Sequence, residues 1–313
     1  MSDTMKAVRI HEFGGPEVLV YEDAPKPVAG PGEALIRVRG AGINPVDWKV
    51  REGWTESIWP HQLPLILGWD VAGVIEAVGA GVSNVKPGDE VYADTNILKD
   101  GAYAEYVLVE AKVVALKPKS LSFVEAASLP IAALTAWQAL FDAAGLQPGQ
   151  TVLIHAAAGG VGSLGVQFAK WKGARVIGTA SARNHAFLKE LGADELIDYT
   201  AERFEDSVKD VDVVFDTVGK EVMQRSWQTL KPGGYLVGIV NDPDTEQAKK
   251  YGVRASHIFG LPRADDLTAI AELIDAGTVR PVVSETLPLS EARRAHEESQ
   301  GGHVRGKIVL EVP

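Results

Sequence analysis

The stretch 151–162, TVLIHAAAGGVG, constrains the fold more than any other part of the chain. An apolar run of strand type leads straight into small residues and glycines, and a run of helix type begins among them. In that order the glycines let a backbone approach a diphosphate closely. The first N–H groups of the helix then face it with the positive end of the helix dipole. The dinucleotide pattern G-x-G-x-x-G reads A-x-G-x-x-G here, with Ala157, Gly159 and Gly162 at the three fixed places. Such a pattern counts when it follows a strand and opens a helix within repeated strand–helix units. Predicted strands at 151–155, 175–179, 211–216 and 235–240 alternate with predicted helices at 161–172, 184–191 and 221–230, which calls for a parallel sheet with helical crossovers. Ala158, Gly159, Gly160 and Val161 are therefore the candidate diphosphate cradle. A glycine-rich turn without a ligand is the competing reading, and the context weighs against it.

The next strand selects the nucleotide. NAD enzymes place Asp or Glu about 20 residues further on to hold the ribose 2′-hydroxyl. Here the strand ends Gly178-Thr179-Ala180-Ser181-Ala182-Arg183, with no carboxylate. Ser181 and Arg183 suit a 2′-phosphate through charge-assisted hydrogen bonds, although Arg183 also reads as a solvated residue at a helix start. The expected cofactor is NADP(H).

The first third of the chain has another character. Predicted strands at 5–10, 33–38, 71–78, 90–93 and 102–109 are separated by Gly–Pro turns such as Lys86-Pro87-Gly88-Asp89, which points to a small barrel-like unit. Ser122 with Glu125 reads as a capping box, and Pro130 interrupts the helical run beyond it. After Phe259 come a helix at 264–276, an extended stretch at 281–287, a helix at 290–299 and an apolar strand at 307–312. That last strand is best used in the first β unit. The expected division is thus 1–125 with 259–313, around a nucleotide-binding domain at 126–258. The 313 residues suit two domains. The chain has no cysteine, which excludes disulfides, thiolate-bound zinc and a thiol nucleophile. A net charge of −11 weighs against nucleic acid as the main ligand. No apolar run approaches the ~20 residues of a membrane span, and MSDTMKAVRI lacks the apolar core of a signal peptide. The expectation is a cytoplasmic protein with no membrane partner.

The motifs Gly42-Ile43-Asn44-Pro45-Val46-Asp47, Gly68-Trp69-Asp70, Lys86-Pro87-Gly88-Asp89, Gly101-Ala102-Tyr103-Ala104-Glu105, Leu134-Thr135-Ala136-Trp137, Ala157–Gly162, Leu191-Gly192-Ala193-Asp194, Asp216-Thr217-Val218-Gly219, Leu230-Lys231-Pro232-Gly233-Gly234 and Gly306-Lys307 occur in that order. With them the chain resembles the medium-chain dehydrogenase/reductase superfamily, in its zinc-independent, quinone-oxidoreductase-like branch. The resemblance implies an α/β fold: a GroES-like irregular β-barrel catalytic domain plus a Rossmann domain with a doubly wound parallel sheet. Asn44, Trp69 and Ile131 stand where zinc-dependent relatives carry their catalytic metal ligands, so no Lewis acid is expected. Hydride transfer to an electron-poor acceptor, a quinone or activated enone, remains feasible without one. A reductase of one particular enoyl or enone metabolite and a redox-silent NADP(H)-binding sensor are the alternatives.

By the same resemblance Asn44 lies near the nicotinamide ribose and Thr135 near the carboxamide. With Trp69 they form the expected catalytic set. Val240 and Asn241 would pass the nicotinamide edge, Val218 and Gly219 would flank the adenosine, and Tyr199 would lie against the 2′-phosphate or adenine. Trp48, Trp54 and Trp69 offer flat walls for a flat acceptor, with Phe259 closing the pocket; each Trp also reads as ordinary core filler. Asn44 can serve as a hydrogen-bond donor to a developing oxyanion. Water, Lys49, Arg51 and a ribose hydroxyl are open as proton sources. A homodimer joined through the segment around Ala255–Phe259 is expected.

Overall fold

In the computed structural model, which describes residues 3–313, the chain opens with β1 (Thr4–Ile10), β2 (Val20–Pro25), β3 (Glu33–Gly42), β4 (Leu65–Ile66), β5 (Asp70–Val78), β6 (Glu90–Asp94), β7 (Tyr106–Glu110) and β8 (Ala115–Leu116). It continues with β9 (Thr151–Ile154), β10 (Arg175–Thr179), β11 (Glu195–Ile197), β12 (Val211–Asp216), β13 (Leu230–Gly238) and β14 (Arg254–His257), and closes with β15 (Val283–Pro288) and β16 (Lys307–Glu311). These elements fall into two units. The first holds the chain up to Ile131, then Pro262–Gly277 and Pro281–Pro313; the second holds Ala132–Leu261 and Thr278–Arg280.

In the first unit one sheet has the order β15-β16-β3-β5-β6-β8, with β7 also on β3, and a smaller one the order β2-β1-β4. The closing strand β16 runs antiparallel to β3, with Val309 opposite Gly42. Alternating Ala34, Ile36 and Val38 of β3 join Ile75, Val91, Ile308 and Leu310 in the core. The unit extends past residue 125 because the helix Phe123–Ala127 packs directly on β3. A Cβ on Gly40 would stand 3.0 Å from both Ala127 Cβ and Phe123 O. Ser122 and Glu125 form the expected capping box. The predicted strand at 102–109 is shorter, Tyr106–Glu110, because the residues before it leave the ladder to bond elsewhere: Tyr103 N–H donates to Leu67 O, and Tyr103 O accepts from Val8 N–H.

The second unit carries a six-stranded parallel sheet in the order β11-β10-β9-β12-β13-β14. The strand order reverses between β9 and β12, the switch point at which doubly wound sheets bind ligands beyond their carboxyl ends. Three predicted elements shift in detail. The helix after β9 is Gly160–Trp171. The helix expected at 184–191 is a 3-10 turn, Ala182–Asn184, followed by His185–Glu190. β13 ends at Gly238, leaving Val240 and Asn241 in a loop. No helix among the described residues is long and apolar enough to cross a membrane.

Candidate functional site

In the second unit the cradle begins where β9 ends. Ala156 takes φ +46°, a left-handed conformation that costs an alanine about 1 kcal/mol or more, and the chain then turns into the helix through Gly159. That helix has no side-chain cap at its N-terminus, so its first-turn N–H groups keep their capacity for an anion. Gly162 is required for packing: a Cβ there would lie 2.4 Å from Ala156 O and 2.8 Å from Ala157 Cα. A Cβ on Gly159 would meet nothing nearer than 3.4 Å; this glycine is the open one. Ala158, Gly159, Gly160 and Val161 thus share one turn at the switch point.

The neighbouring strand ends gather the other residues expected to bind the nucleotide. Thr179 of β10 pairs with Ile197 of β11, and Ala180 N–H donates to Ile197 O. Ser181 and Arg183 therefore leave β10 beside the strand whose end carries the exposed Tyr199. Across the switch point, Asp216 Oδ1 accepts the N–H groups of Val218 and Gly219, both at 2.9 Å. Gly219 takes φ +76°, and a Cβ on it would strike Asn241 Oδ1 at 2.3 Å and Val240 Cβ at 3.0 Å. Asn241 Oδ1 accepts the Lys220 N–H at 2.8 Å. Val218, Gly219, Val240 and Asn241 thus form one paired-loop surface. Thr135 is buried against the backbone of Gly260, next to Phe259. Gln138 fastens that segment by a pair of hydrogen bonds to the Leu261 backbone, donating to its O and accepting from its N–H, both at 2.9 Å. His155 is buried beneath the turn between Thr179 and Ser226, and burial pushes its imidazole down to about 3. It is neutral packing.

In the first unit, Asn44 sits in a buried polar cluster that sequence reasoning did not assemble. Its Nδ2 donates to Asp70 Oδ2 (2.8 Å), and its Oδ1 accepts from Lys307 Nζ. Lys307 also donates to Ile43 O (2.6 Å) and Asp70 Oδ2 (3.1 Å). Asp70 Oδ1 takes the Ile131 N–H at 2.6 Å. Gly42 makes room for this carboxylate, because a Cβ there would lie 2.8 Å from Asp70 Oδ2 and 2.4 Å from Ala127 O. The Asn44 N–H donates to Asp47 Oδ2 at 2.7 Å, and so does the Tyr103 hydroxyl, also at 2.7 Å.

The chain of contacts continues with a fixed polarity. Arg51 NH1 is 3.1 Å from His296 Nδ1, and a guanidinium only donates. His296 must then carry its proton on Nε2 and donate it to the Tyr103 hydroxyl at 3.2 Å. Burial pushes His296 down to about 3, with Arg51 adding to the effect, consistent with a neutral ring. Burial pushes Asp47 the other way, up to about 7, against the pull of the Asn44 N–H and the Tyr103 hydroxyl.

The aromatic wall divides. Trp48 follows Asn44 on the helix Pro45–Arg51, and its ring meets that of Trp54 edge-on at 5.3 Å, with Trp54 64% exposed. Trp69 is not part of that surface. It is 1% exposed, in the core cluster, and its indole N–H donates to Lys99 O at 3.1 Å. A large indole at the foot of β5 gains more by burial than by lining a solvent-facing wall. The expectation that it faces an acceptor is corrected accordingly. The Asn44 amide is likewise engaged on both atoms, and its one remaining N–H is the limit of what it can offer an oxyanion. Asp70, Tyr103, Lys307 and His296 were missed as a cluster. The available signal was a charge at the start of an otherwise apolar run, as in Asp70-Val71-Ala72 and Lys307-Ile308-Val309.

A β-barrel-like unit joined in sequence to a doubly wound sheet with a glycine cradle defines a two-unit, dinucleotide-binding class of protein. The model for the alcohol dehydrogenase GroES-like domain matches residues 30–119, and that for zinc-binding dehydrogenases matches residues 191–310. The chain is 35% identical to a chloroplast envelope quinone oxidoreductase homolog of Arabidopsis thaliana, covering 98% of each. It is 36% identical to an NADPH-dependent alkenal/one oxidoreductase of the same plant, over 98% of this chain and 79% of that one. The solved structure of the quinone oxidoreductase from Coxiella burnetii superposes with a TM-score of 0.93 at 40% identity, covering 99% of this chain and 100% of that one. The chain belongs to the medium-chain dehydrogenase/reductase superfamily, among its quinone-oxidoreductase-like oxidoreductases.

The second family description implies zinc, and the residues here do not fit it. Asn44 is bound to Asp70 and Lys307, Trp69 is core, Ile131 offers hydrocarbon, and the Lys307 ammonium holds the nearby oxygens. Among the described residues no three or more His, Cys, Asp or Glu side chains are placed to hold a metal. A dinucleotide does fit: the uncapped helix start and the open Gly159 suit a diphosphate.

Proposed function

We propose that this protein is an NADPH-dependent reductase of quinones or other activated enones that works without a metal ion. The observation that carries the reading is the uncapped helix start behind Gly159 at the switch point, beside a β10 end that offers Ser181 and Arg183 and no carboxylate. NADPH supplies a hydride when bound. Ala158–Val161 would hold its diphosphate, Ser181, Arg183 and Tyr199 its 2′-phosphate end, Val218 and Gly219 its adenosine side, and Thr135, Val240 and Asn241 its nicotinamide. Asn44, held rigid from both sides by Asp70 and Lys307, would orient the nicotinamide ribose. Trp48 and Trp54 would stack on a flat acceptor. The names of the Arabidopsis relatives, a quinone oxidoreductase homolog and an NADPH-dependent alkenal/one oxidoreductase, support this choice of cofactor and acceptor. A metal-free reaction fits the residues at the zinc positions. β14 is an edge strand with partly exposed residues, suited to pairing with a second copy through 255–259.

The test is NADPH consumption with a panel of small quinones and enones, in buffer with and without a chelator. Turnover of at least one acceptor, unaffected by the chelator and slower with NADH, is the expected result. Tight NADPH binding with no turnover of any acceptor would favour a redox-silent sensor, and loss of activity on chelation would overturn the metal-free reading. Light scattering tests the dimer, and a monomer refutes it.

A further inference from the structure

Within the first unit, the segment 52–64 connects the helix Pro45–Arg51 to β4. Local backbone bonds shape it: the Gly53 N–H donates to Val50 O (2.8 Å), and the Ile58 and Trp59 N–H groups both donate to Thr55 O (2.9 and 2.7 Å). It holds large apolar side chains in solvent, Trp54 at 64% exposure and Ile58 at 69%. The turn 95–101, which follows β6, is fixed at both ends: the Thr95 N–H donates to Trp69 O and the Gly101 N–H to Ile66 O, both at 2.8 Å. His61 ties the segment to this turn. Its Nδ1 lies 2.9 Å from Glu56 Oε1, and its Nε2 lies 2.9 Å from Ile97 O. The His61 backbone N–H also donates to Glu56 Oε2 at 3.4 Å. The His61 side chain is fully buried although its partner Glu56 is 30% exposed, and its ring centroid is 6.3 Å from that of Trp69.

A carbonyl oxygen only accepts hydrogen bonds, and so does an ionised carboxylate. Each ring nitrogen of His61 faces one of these, so both nitrogens must carry a proton. The proton shared with Glu56 belongs to the ring, because an imidazole is ordinarily more basic than a carboxylate by about 2 pH units. We propose that His61 is an imidazolium pin that holds the segment 52–64 against the turn 95–101, and that deprotonation withdraws it. Losing the Nε2 proton sets a bare nitrogen against Ile97 O. Losing the Nδ1 proton sets one against the Glu56 carboxylate. In either case one of the two bonds becomes a repulsion. Glu56, on the same segment, is the charged group in contact with the ring. The turn presents the Ile97 carbonyl, and its charged side chains are bonded elsewhere, Lys99 to Glu33 and Asp100 to the Ile66 N–H. The residue before β5 presents the Trp69 ring. The pinned form binds the proton, so low pH favours it and rising pH releases the segment. The pin thereby sets where the exposed Trp54 and Ile58 stand, whatever reaction the protein catalyses.

The experiment compares two curves on the full chain from about pH 5 to about pH 8, the range in which imidazoles change charge. Nitrogen-15 spectra of the histidine rings follow the protons on His61 Nδ1 and Nε2. Hydrogen exchange, corrected for its intrinsic dependence on pH, follows the Ile58 and Trp59 amides, with the β3 amides as a control for global stability. His61 should carry both protons at the acid end. As the ring loses one, protection at Ile58 and Trp59 should fall at least about tenfold, the worth of one hydrogen bond to a charged group, with the same midpoint and with β3 unchanged. In His61→Gln, which cannot donate in both directions, protection at the two amides should be low and independent of pH while β3 stays protected. Glu56→Gln keeps an acceptor but removes the anion that favours the charged ring, so both curves should move together to lower pH. A ring with one proton at the acid end, a ring that titrates without loss of protection, or a ring that keeps both protons throughout overturns the proposal. So does His61→Gln with wild-type protection at every pH.

Discussion

Replacing Lys307 by Met tests whether the buried cluster around Asn44 is held by charge. The ammonium is nearly inaccessible, 7% exposed at the side chain, and the carboxylate it faces is 0% exposed. Met fills similar volume and removes the cation. Three interactions go with it, to Ile43 O, Asn44 Oδ1 and Asp70 Oδ2. Removing one partner of a buried pair costs about 3–5 kcal/mol, because the other charge stays buried and uncompensated. Asp70 keeps two donors, the Ile131 N–H and Asn44 Nδ2, so the low end, about 3 kcal/mol, is expected. Changing Asp70 to Asn as well removes the stranded charge. The double variant Lys307→Met/Asp70→Asn should then be more stable than the sum of the single variants by about 2 kcal/mol. Urea unfolding gives the energies, and hydrogen exchange at the β3 and β16 amides shows whether the loss lies in the first unit. A single-variant cost below about 1 kcal/mol, the level of an exposed pair, together with additivity in the cycle, would refute the reasoning.

Other outcomes follow from the same geometry. His155 is neutral when folded, at about 3, against an ordinary 6.5; above 6.5 neither state binds the proton, and as pH falls the unfolded chain binds it first. Stability is therefore lost between about 6.5 and 3, and the destabilisation caused by His155→Asn should be smaller at about pH 5 than at neutral pH by about 2 kcal/mol, read from urea midpoints; an equal cost at both would contradict the buried neutral ring. Gly162→Ala forces a Cβ against Ala156 O and Ala157 Cα and should cost about 1–3 kcal/mol of stability and weaken NADPH binding, whereas Gly159→Ala, with space around it, should leave stability within about 1 kcal/mol; thermal melts and fluorescence titration check both. Ala180→Asp combined with Arg183→Ala should move cofactor preference from NADPH towards NADH, measured as the ratio of their dissociation constants; an unmoved ratio would place the 2′-phosphate elsewhere.

Much of the second unit was legible because its signals are local. The spans of β10 and β12 agree with the predicted strands, since a buried parallel strand is a short, continuous apolar run and each is bounded by turn residues. Ser122 announces its helix through Glu125 within four residues. The short pieces were harder. β4 and the helix Thr245–Tyr251 carry too few residues to show a period, and β2, with Glu22, Asp23 and Pro25 among its six residues, has no apolar run. The strand read at 102–109 begins at Tyr106 because Tyr103 bonds Leu67 and Val8 instead of continuing the ladder. The candidate site divided in the same way. Ala158–Val161 could be placed from one turn, while Asp70, Tyr103, His296 and Lys307 lie between 26 and 263 positions from Asn44, and no window of sequence contains them together. Trp69 was misjudged because position in a motif says where a backbone runs and not which way an indole turns.

The alternation of the main strands and helices in the second unit, the glycine turn that needs small residues, the missing carboxylate after β10 and the lack of any thiol were all settled by the amino-acid sequence, because each depends on residues near one another or on composition. Which buried charges meet was decided by tertiary structure alone. The antiparallel neighbours β16, β3, β5 and β6 bring Lys307, Gly42, Asp70 and Asp94 to one end of a sheet. Whether a carboxyl there is bonded, charged or neutral follows from its neighbours in space, since desolvation and Coulomb interaction depend on surroundings that chain order does not encode.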